Sequence, residues 1–404
     1  MWRLFALLAA VVCAMGCAER EPVTEVPAQA HGLGQLLFEI NDSTTIAIPG
    51  KRTGETLTLF NGSESIACSA LDSLCYTVPV FNGTLCLDGE GRGQWTDILR
   101  VGDALYTVPI RWRSNTPAAP SGTTTDTTIW RLAFGTEDPW FGDLVLQEDG
   151  AGNLGGTIET ATGDFRFLHG SEEDGHIVLQ TFDGAHLFRF SCERTEGGLV
   201  NGWFASGNHY GTPFKGERLN DDHLPLSSGK QAAWTGLPVA YSGYSMTRNP
   251  VEWKATEHRD TVHILSVMGT WCPNCMDEHR LLRDLARQHP NVKVHTLAFE
   301  RGLDRPKGEK LALRRLKNYH EEMELWRLED RWDVTLVGAA SKTEAQQKLP
   351  FLDKVVSFPT TIVLHPEQEE PWIHSGFNGP ATGAKYDLER TALTAAINGR
   401  SESH

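Results

Sequence analysis

The segment Gly269-Thr-Trp-Cys-Pro-Asn-Cys275 decides the fold of the second half of the chain. Before it, residues 261–268 form a compact apolar run typical of a β-strand. After it, residues 273–288 have a helical spacing that puts Cys275 and Glu278 on one face. A C-x-x-C at a strand-to-helix turn is the placement that a redox-active cysteine pair requires. The segment therefore predicts a dithiol/disulfide centre in an α/β domain.

The two cysteines of this segment have different predicted roles. Cys272 stands at the helix N-terminus, where unpaired backbone N–H groups and the helix dipole stabilise a thiolate. It is the predicted nucleophile, and Cys275, one turn deeper, is placed to attack the resulting mixed disulfide. Pro273 is tolerated because the N–H groups of a first helical turn have no acceptors within the helix. The pair carries two electrons by itself, so no cofactor beyond the dithiol is expected.

Together with Ser357-Phe-Pro-Thr360, this segment resembles the thioredoxin superfamily and, more narrowly, the TlpA/ResA-like thiol:disulfide oxidoreductases of bacterial envelopes. The resemblance covers residues 235–404. It implies reduction of protein disulfides as the activity and a cis Phe358–Pro359 peptide bond opposite the cysteines, a rare bond with a positional meaning. The substrate groove that it implies is lined by Trp271, Pro273, Phe358 and Pro359.

The resemblance also gives a role to Glu278, because the TlpA/ResA-like branch has a glutamate three residues after the second cysteine. Helical spacing turns Glu278 inward, where burial raises the pKa of a carboxyl toward that of a usable acid or base. The alternative interpretation is a solvated helix residue. Two positions depart from the family pattern: Ser266 replaces a buried aspartate, and Arg280 stands near the place of a helix-kinking proline.

Metal binding is a weaker interpretation of the same cysteines. A structural zinc site needs about four ligands, and no cysteine follows Cys275. Met276 stands where haem attachment needs a histidine. His279 is interpreted as a polar residue on the helix flank, and its alternative is a ligand in a copper site built on the two thiolates. No metal is therefore expected.

The composition is that of a globular protein with more than one domain. The chain has 404 residues, which at ~150 residues per domain gives two to three domains. Hydrophobic residues make up 40% and charged residues 22%, which argues against a disordered chain and a polytopic membrane protein. The balance of 37 basic and 52 acidic residues gives 37 − 52 = −15, without a Lys/Arg-rich stripe. Nucleic acid is therefore not an expected partner.

The start of the chain predicts export. Residues 1–16 combine Arg3 with a short apolar stretch, as a signal peptide does. The residues before Cys17 resemble the lipobox of bacterial lipoproteins, which implies a lipid on Cys17 that attaches the protein to a membrane. Simple secretion and an uncleaved anchor are the alternatives. Residues 17–35 then form a flexible tether, and the expected location is the bacterial cell envelope, facing the periplasm or in the outer membrane.

The middle of the chain predicts β structure. Residues 36–220 contain short apolar runs separated by turn signals, the pattern of an antiparallel sandwich or barrel. We expect one β domain, although the polar stretch 114–128 is either a long loop or a boundary between two β units. Residues 221–234 form a linker. The thioredoxin-like domain, residues 235–404, follows as a βαβ unit and a ββα unit, and its last helix is predicted to turn Leu388, Ala392 and Ala395 inward.

Four cysteines in the β region are candidates for structural disulfides: Cys68, Cys75, Cys86 and Cys192. Disulfides are the default in an oxidising compartment, and four cysteines allow three pairings. Cys68 with Cys75 closes the shortest loop. Free buried thiols are the alternative.

The sequence thus favours an envelope thiol:disulfide oxidoreductase whose partners are protein disulfides and a dithiol electron donor. One alternative is a surface lipoprotein whose β domain binds a ligand, with the redox module as an accessory. The other is a peroxiredoxin-like thiol peroxidase, although the paired Trp-Cys-Pro-Asn-Cys does not match a peroxidatic pocket.

Overall fold

The computed structural model describes residues 32–81, 83–97, 106–114, 126–220, 226, 231–258 and 260–400. The predicted signal peptide, Cys17 and most of the predicted tether lie outside the described residues. Within the described residues, the strands form three sheets, two of them all-β and the third carrying the helices. None of the described helices is both long and apolar enough to span a bilayer.

The first sheet is a closed antiparallel barrel of eight strands. Its interior is filled by alternating apolar side chains, among them Phe38 and Trp95, whose rings meet edge to face. The strands are β1 (Gly32–Asn41), β2 (Thr44–Arg52), β3 (Thr56–Asn61), β4 (Glu64–Ala70), β5 (Cys75–Thr77), β6 (Thr84–Leu87), β7 (Arg92–Asp97) and β8 (Tyr106–Ser114). The barrel therefore decides between the two β architectures that the sequence allowed.

The predicted tether runs four residues too far, because β1 begins at Gly32. Gly34 pairs with Gly50 on β2 and with Ser114 on β8, so the start of β1 helps to close the barrel. A side chain at Gly34 would collide with the Trp112 indole. From Leu36 onward the strand alternates in the usual way, with Leu36, Phe38 and Ile40 buried. The four residues before it, Gly-Leu-Gly-Gln, have no such pattern, and their pairing partners show that they belong to the strand.

The second sheet has nine strands in the order β10-β9-β17-β16-β15-β14-β13-β11-β12, and β10 also pairs with β11, so the sheet curls back on itself. The β region therefore contains two sheets, and the change from one to the other falls at the polar stretch 114–128. The strands are β9 (Asp126–Phe134), β10 (Trp140–Glu148), β11 (Asn153–Thr160), β12 (Gly163–Asp164), β13 (Leu168–Glu173), β14 (His176–Phe182), β15 (Leu187–Thr195), β16 (Gly198–Ser206) and β17 (Tyr210–Arg218).

The third sheet belongs to the C-terminal α/β domain and has the order β19-β18-β22-β21-β20-β23-β24. Its strands are β18 (Ala240–Ser245), β19 (Pro250–Lys254), β20 (Val262–Met268), β21 (Val292–Glu300), β22 (Trp332–Ala339), β23 (Thr360–Leu364) and β24 (Trp372–Ser375). The helices are α1 (Pro273–Gln288), α2 (Gly308–Glu322), α3 (Lys342–Lys348) and α4 (Ala384–Ile397). Strands β20, β21 and β22 are parallel, and β23 and β24 form an antiparallel hairpin beside β20. The predicted βαβ and ββα units are both present, which agrees with a thioredoxin-like domain.

The predicted linker is docked at its C-terminal end. The Ser375 backbone N–H donates to Gln231 Oε1 at 2.6 Å, and the Ala232 N–H donates to Ser375 Oγ at 3.2 Å. Trp234 forms an isolated bridge with Leu352. The last residues of the segment 221–234 therefore belong to the α/β domain, because their backbone groups find partners there.

Candidate redox site

Cys272 and Cys275 are joined by a disulfide at the start of α1. Cys272 is the N-cap residue of this helix, and its Sγ accepts a hydrogen bond from the Cys275 backbone N–H at 3.2 Å. Pro273 occupies the first helical position, where its missing N–H costs nothing. Cys272 is 7% exposed, whereas Cys275 is fully buried. The Cys275 backbone N–H and the helix N-terminus stabilise a thiolate on the outer sulfur once the disulfide is reduced.

The loop before β23 lies against this cysteine pair. The Phe358–Pro359 peptide bond is cis. Cys272 Sγ lies 3.5 Å from the Phe358 carbonyl oxygen, and the rings of Trp271 and Phe358 are 5.4 Å apart between centroids, edge to face. The structure therefore brings the predicted groove residues together around the outer sulfur.

A buried ion pair holds the turn that precedes the cysteines. Glu300, at the end of β21, accepts hydrogen bonds of 2.8 Å from both the backbone N–H and the hydroxyl of Thr270. Arg315 of α2 donates to the same carboxylate at 3.0 Å. The Trp271 indole N–H donates to the Phe299 carbonyl oxygen at 2.9 Å. These bonds fix the path of the chain into α1, and sequence periodicity gives no sign of them.

Glu278 is buried one helical turn after Cys275, at 1% exposure. Ser266 Oγ donates to one carboxylate oxygen at 2.6 Å, and the Thr361 hydroxyl donates to the other. Burial raises the pKa of Glu278 to about 7, and the two hydroxyl bonds oppose that rise. Ser266, which stands where the family pattern has an aspartate, thus hydrogen-bonds the buried carboxyl group of Glu278.

The interpretation of His279 as a polar residue on the helix flank is wrong. Its side chain is fully buried, Nε2 lies 3.1 Å from Ser266 Oγ, and Nδ1 lies 2.9 Å from the Tyr319 hydroxyl. Burial lowers the pKa of His279 to about 3, so the ring is neutral. Both ring nitrogens already have partners, because β20 brings Ser266 and α2 brings Tyr319 to this side of α1.

A loop of the second sheet forms a further wall of the site. The Asn274 side-chain amide, oriented so that both polar atoms are satisfied, donates to the Asp164 carbonyl oxygen at 3.2 Å and accepts from the Asp164 N–H at 3.0 Å. The Gly379 N–H donates to the Asp164 carboxylate at 2.8 Å, and Gly163 forms a bridge with Phe377. A side chain at Gly163 would collide with Asn274. The β region therefore contacts the cysteine motif itself.

Between this loop and the cysteines lies a cavity of about 250 Å³. One side is formed by Trp271, Cys272 and Phe358 of the α/β domain. The other is formed by residues of the second sheet and its loops: Thr160, Thr162, Gly163, Asp164, Phe165, Asp183, His186 and Phe188. Sequence reasoning did not assign these second-sheet residues to the site, because more than 80 positions separate them from the motif they face.

Arg166 ties the second sheet to both other units. Its guanidinium, 3% exposed, pairs with Glu64 on β4 of the barrel and with Asp277 on α1. Arg280, noted in the sequence as replacing a helix-kinking proline, pairs with the other oxygen of Asp277 at 2.9 Å. Helix α1 runs without a break through this position. The buried arginine therefore fixes the β region against the helix that carries the cysteines.

The four cysteines of the β region include one disulfide, between Cys75 and Cys86. These residues face each other on β5 and β6. The expected short loop between Cys68 and Cys75 is not formed, because in the pairing of β4 with β5 it is Ser69 that faces Thr77 and Ala70 that faces Tyr76. Cys68 and Cys192 are free and buried, which corrects their assignment as disulfide candidates. Burial raises the pKa of each thiol to about 12.

Among the described residues, no group of three or more histidine, cysteine, aspartate or glutamate side chains is arranged to hold a metal ion. The cysteine pair itself is disulfide-bonded. The site contains two sulfurs, a buried carboxyl group and the groups around the cavity.

No protein-family model matches the chain, and no curated protein matches it. Among solved structures, a DsbF homologue from Corynebacterium diphtheriae is similar at 18% identity and a TM-score of 0.28, over 44% of this chain and 96% of that one. A thioredoxin-family thiol:disulfide interchange protein from Chlorobium tepidum is similar at 12% identity and a TM-score of 0.27, over 43% and 97%. An exposed lipoprotein thioredoxin from Streptococcus pneumoniae is similar at 13% identity and a TM-score of 0.24, over 40% and 98%.

Proposed function

We propose that the protein is an exported thiol:disulfide oxidoreductase that reduces disulfides of proteins in the bacterial cell envelope. The observation that carries the proposal is the sulfur of Cys272 as the cap of α1, bonded to Cys275 and lying 3.5 Å from the Phe358 carbonyl oxygen of the cis-proline loop. The neutral-range pKa of Glu278, raised by burial, supports it. The lipid attachment at Cys17 is part of the same proposal and lies outside the described residues.

The reaction is a pair of exchanges. The Cys272 thiolate attacks one sulfur of the client disulfide, a mixed disulfide forms, and the other client sulfur leaves as a thiolate. The Cys275 thiol then loses its proton toward Glu278 and attacks Cys272, which forms the internal disulfide and releases the second client sulfur. The client gains two electrons and the cysteine pair loses them. A dithiol donor reduces the pair for the next cycle.

The test replaces each cysteine in the full-length chain. Cys272→Ser should abolish dithiothreitol-dependent reduction of insulin, because the attacking sulfur is gone. Cys275→Ala should accumulate mixed disulfides, which identifies the clients when the variant is expressed in its native envelope. The matched control is Cys75→Ser with Cys86→Ser, which removes the other disulfide and should retain the activity. Full activity of Cys272→Ser would refute the proposal.

The direction of electron flow is decided by the reduction potential of the pair. A reductase should reach equilibrium with glutathione at a potential nearer ~−270 mV than ~−120 mV, the values of a reducing and an oxidising protein of this chemistry. A potential near the upper value would make the protein an oxidase. Labelling with a radioactive fatty acid, lost in Cys17→Ala, tests the lipid attachment.

A further inference from the structure

The cavity over Cys272 contains an acid–base pair that belongs to the second sheet. Asp183 and His186 both line it, and so does Cys272. His186 Nδ1 lies 2.9 Å from Asp183 Oδ2, and the ring stacks on Phe188 at 5.1 Å between centroids. The cavity is thus lined by Cys272 on one side and an oriented imidazole on the other.

The carboxylate of Asp183 is built to hold this ring. The side chain is 4% exposed, and Oδ1 accepts the backbone N–H groups of Ala185 at 2.8 Å and His186 at 2.6 Å. Burial opposes ionisation of Asp183, but the His186 ring, the nearby Arg166 charge and the backbone bond outweigh it and lower the pKa of the carboxyl. A fixed carboxylate on Nδ1 determines which nitrogen keeps its proton, and Nε2 is the nitrogen that remains for a ligand.

We propose that His186, positioned by Asp183, is an acid–base residue of the redox site that protonates the leaving sulfur of a small or extended peptide disulfide bound in this cavity. The proposal depends on the proposed oxidoreductase function. The volume of about 250 Å³ is below the ~300–1,000 Å³ of sites for drug-sized ligands, so it accommodates a disulfide with its immediate neighbours.

The step balances as follows. The Cys272 thiolate forms a bond to one substrate sulfur, and the substrate S–S bond breaks. The departing sulfur takes the proton from Nε2 of the His186 imidazolium and leaves as a thiol. Nδ1 keeps its own proton, which stays hydrogen-bonded to Asp183. The neutral ring regains a proton from solvent. An ordinary aliphatic thiolate is a poor leaving group, so its departure is faster when the sulfur receives this proton. An aryl thiolate, whose thiol is acidic, leaves without it.

The experiment compares two disulfides with the reduced full-length protein. His186→Gln should slow the reaction with oxidised glutathione at least about tenfold, because proton donation to the leaving sulfur is lost. The rate of the reaction with dithiobis-nitrobenzoate, whose leaving group is the anion of an acidic aryl thiol, should change by less than about twofold. Asp183→Asn keeps an oxygen for the two backbone N–H groups, removes the charge beside the ring, and should show the same selective loss. His176→Gln, an exposed histidine on β14 of the same sheet, is the matched control and should leave both rates unchanged.

The outcomes separate the two proposals. Equal slowing of both disulfides in His186→Gln would mean that the residue only supports the fold, and no slowing of either would mean that it takes no part; each result overturns the assignment of His186. A wild-type protein that reacts with neither disulfide would overturn the oxidoreductase function itself. Circular dichroism of each variant shows whether it has folded. If His186→Gln does not fold, the result for Asp183→Asn decides the assignment.

Discussion

The carboxyl group of Glu278 couples stability to pH near neutrality. Its pKa rises from 4.5 to about 7 because folding buries it. Between these values the folded protein binds the proton more tightly than the unfolded chain, so the free energy of unfolding falls as pH rises through this window. The full fall is about 3 kcal/mol. Glu278→Gln has no proton to lose, and its stability relative to the wild type should therefore increase by about that amount from about pH 4 to about pH 8.

Urea unfolding of the oxidised protein, followed by tryptophan fluorescence at the two pH values, measures this difference. Glu322→Gln, at an exposed position at the end of α2, is the control and should follow the wild-type profile. A stability difference between Glu278→Gln and the wild type that stays constant with pH would show that the carboxyl is not perturbed by burial.

The roles of single residues were predictable from sequence only where local chemistry defines them. Cys272 could be identified as a helix cap because the proline and the second cysteine follow it directly. The partners of Glu278, by contrast, come from β20 and β23, and Thr361 is 83 positions away along the chain. No role could be predicted for His186, since an isolated histidine between two strands is chemically ambiguous until the fold places it in one cavity with Cys272.

The disulfide between β5 and β6 should stabilise the barrel. Its cysteines are 11 positions apart, and closing such a loop in the unfolded chain contributes about 2–3 kcal/mol. Cys75→Ser with Cys86→Ser should therefore lower the free energy of unfolding of the barrel by about that amount. Calorimetry with and without dithiothreitol measures it: the reductant should destabilise the barrel of the wild type and have no effect on that of the double variant. An unchanged barrel transition in the double variant would show that the β-strand pairing alone determines its stability.

At the level of helices and strands, periodicity predicted which elements exist better than it predicted which of their faces is buried. Helix α1 was predictable in full because its capping signal and apolar stripe coincide. In α4 the predicted inward residues are wrong: Leu388 is 67% exposed, Ala392 and Ala395 are only partly buried, and Leu393 with Ile397 faces the core. Apolar residues are spread around this helix rather than gathered on one face, so its buried face is set by how it docks. Strand β22 lies inside the sheet, between β18 and β21, yet the sequence pattern did not predict it.

At the level of the whole molecule, the second sheet connects the barrel and the redox domain. Asn61 of the barrel exchanges two hydrogen bonds with the Phe182 backbone, at 2.8 and 3.2 Å, much as Asn274 does with Asp164 on the other side. Arg166 of the second sheet pairs with Glu64 of the barrel and with Asp277 of α1. The β region is therefore part of the structure of the redox site. The pattern of the sequence, with its polar stretch at 114–128, did not indicate this.

Removing the charge of Arg166 should loosen all three units together. Arg166→Ala leaves Glu64 and Asp277 buried without their common partner, and breaking a buried pair in this way costs about 3–5 kcal/mol. We expect a lower thermal midpoint and faster hydrogen exchange both in the loop around Asp164 and in the first turn of α1. The matched control is Arg194→Ala, which removes ion pairs of 2.6 and 2.9 Å to Glu148 and Glu172 within the second sheet.

The control should leave the exchange of α1 unchanged, because its ion pairs do not reach the helix. The contrary outcome is that Arg166→Ala changes the free energy of unfolding by less than about 0.5 kcal/mol and leaves both exchange rates as they were. The two ion pairs of Arg166 would then contribute no more to stability than pairs on the surface do. The backbone contacts of Asp164 with Asn274 and Gly379 would then be what holds the β region over the cysteines. A slower reaction of Arg166→Ala with oxidised glutathione, alongside faster exchange, would show in addition that the docked arrangement serves catalysis, since loosening it moves the wall of the cavity away from Cys272.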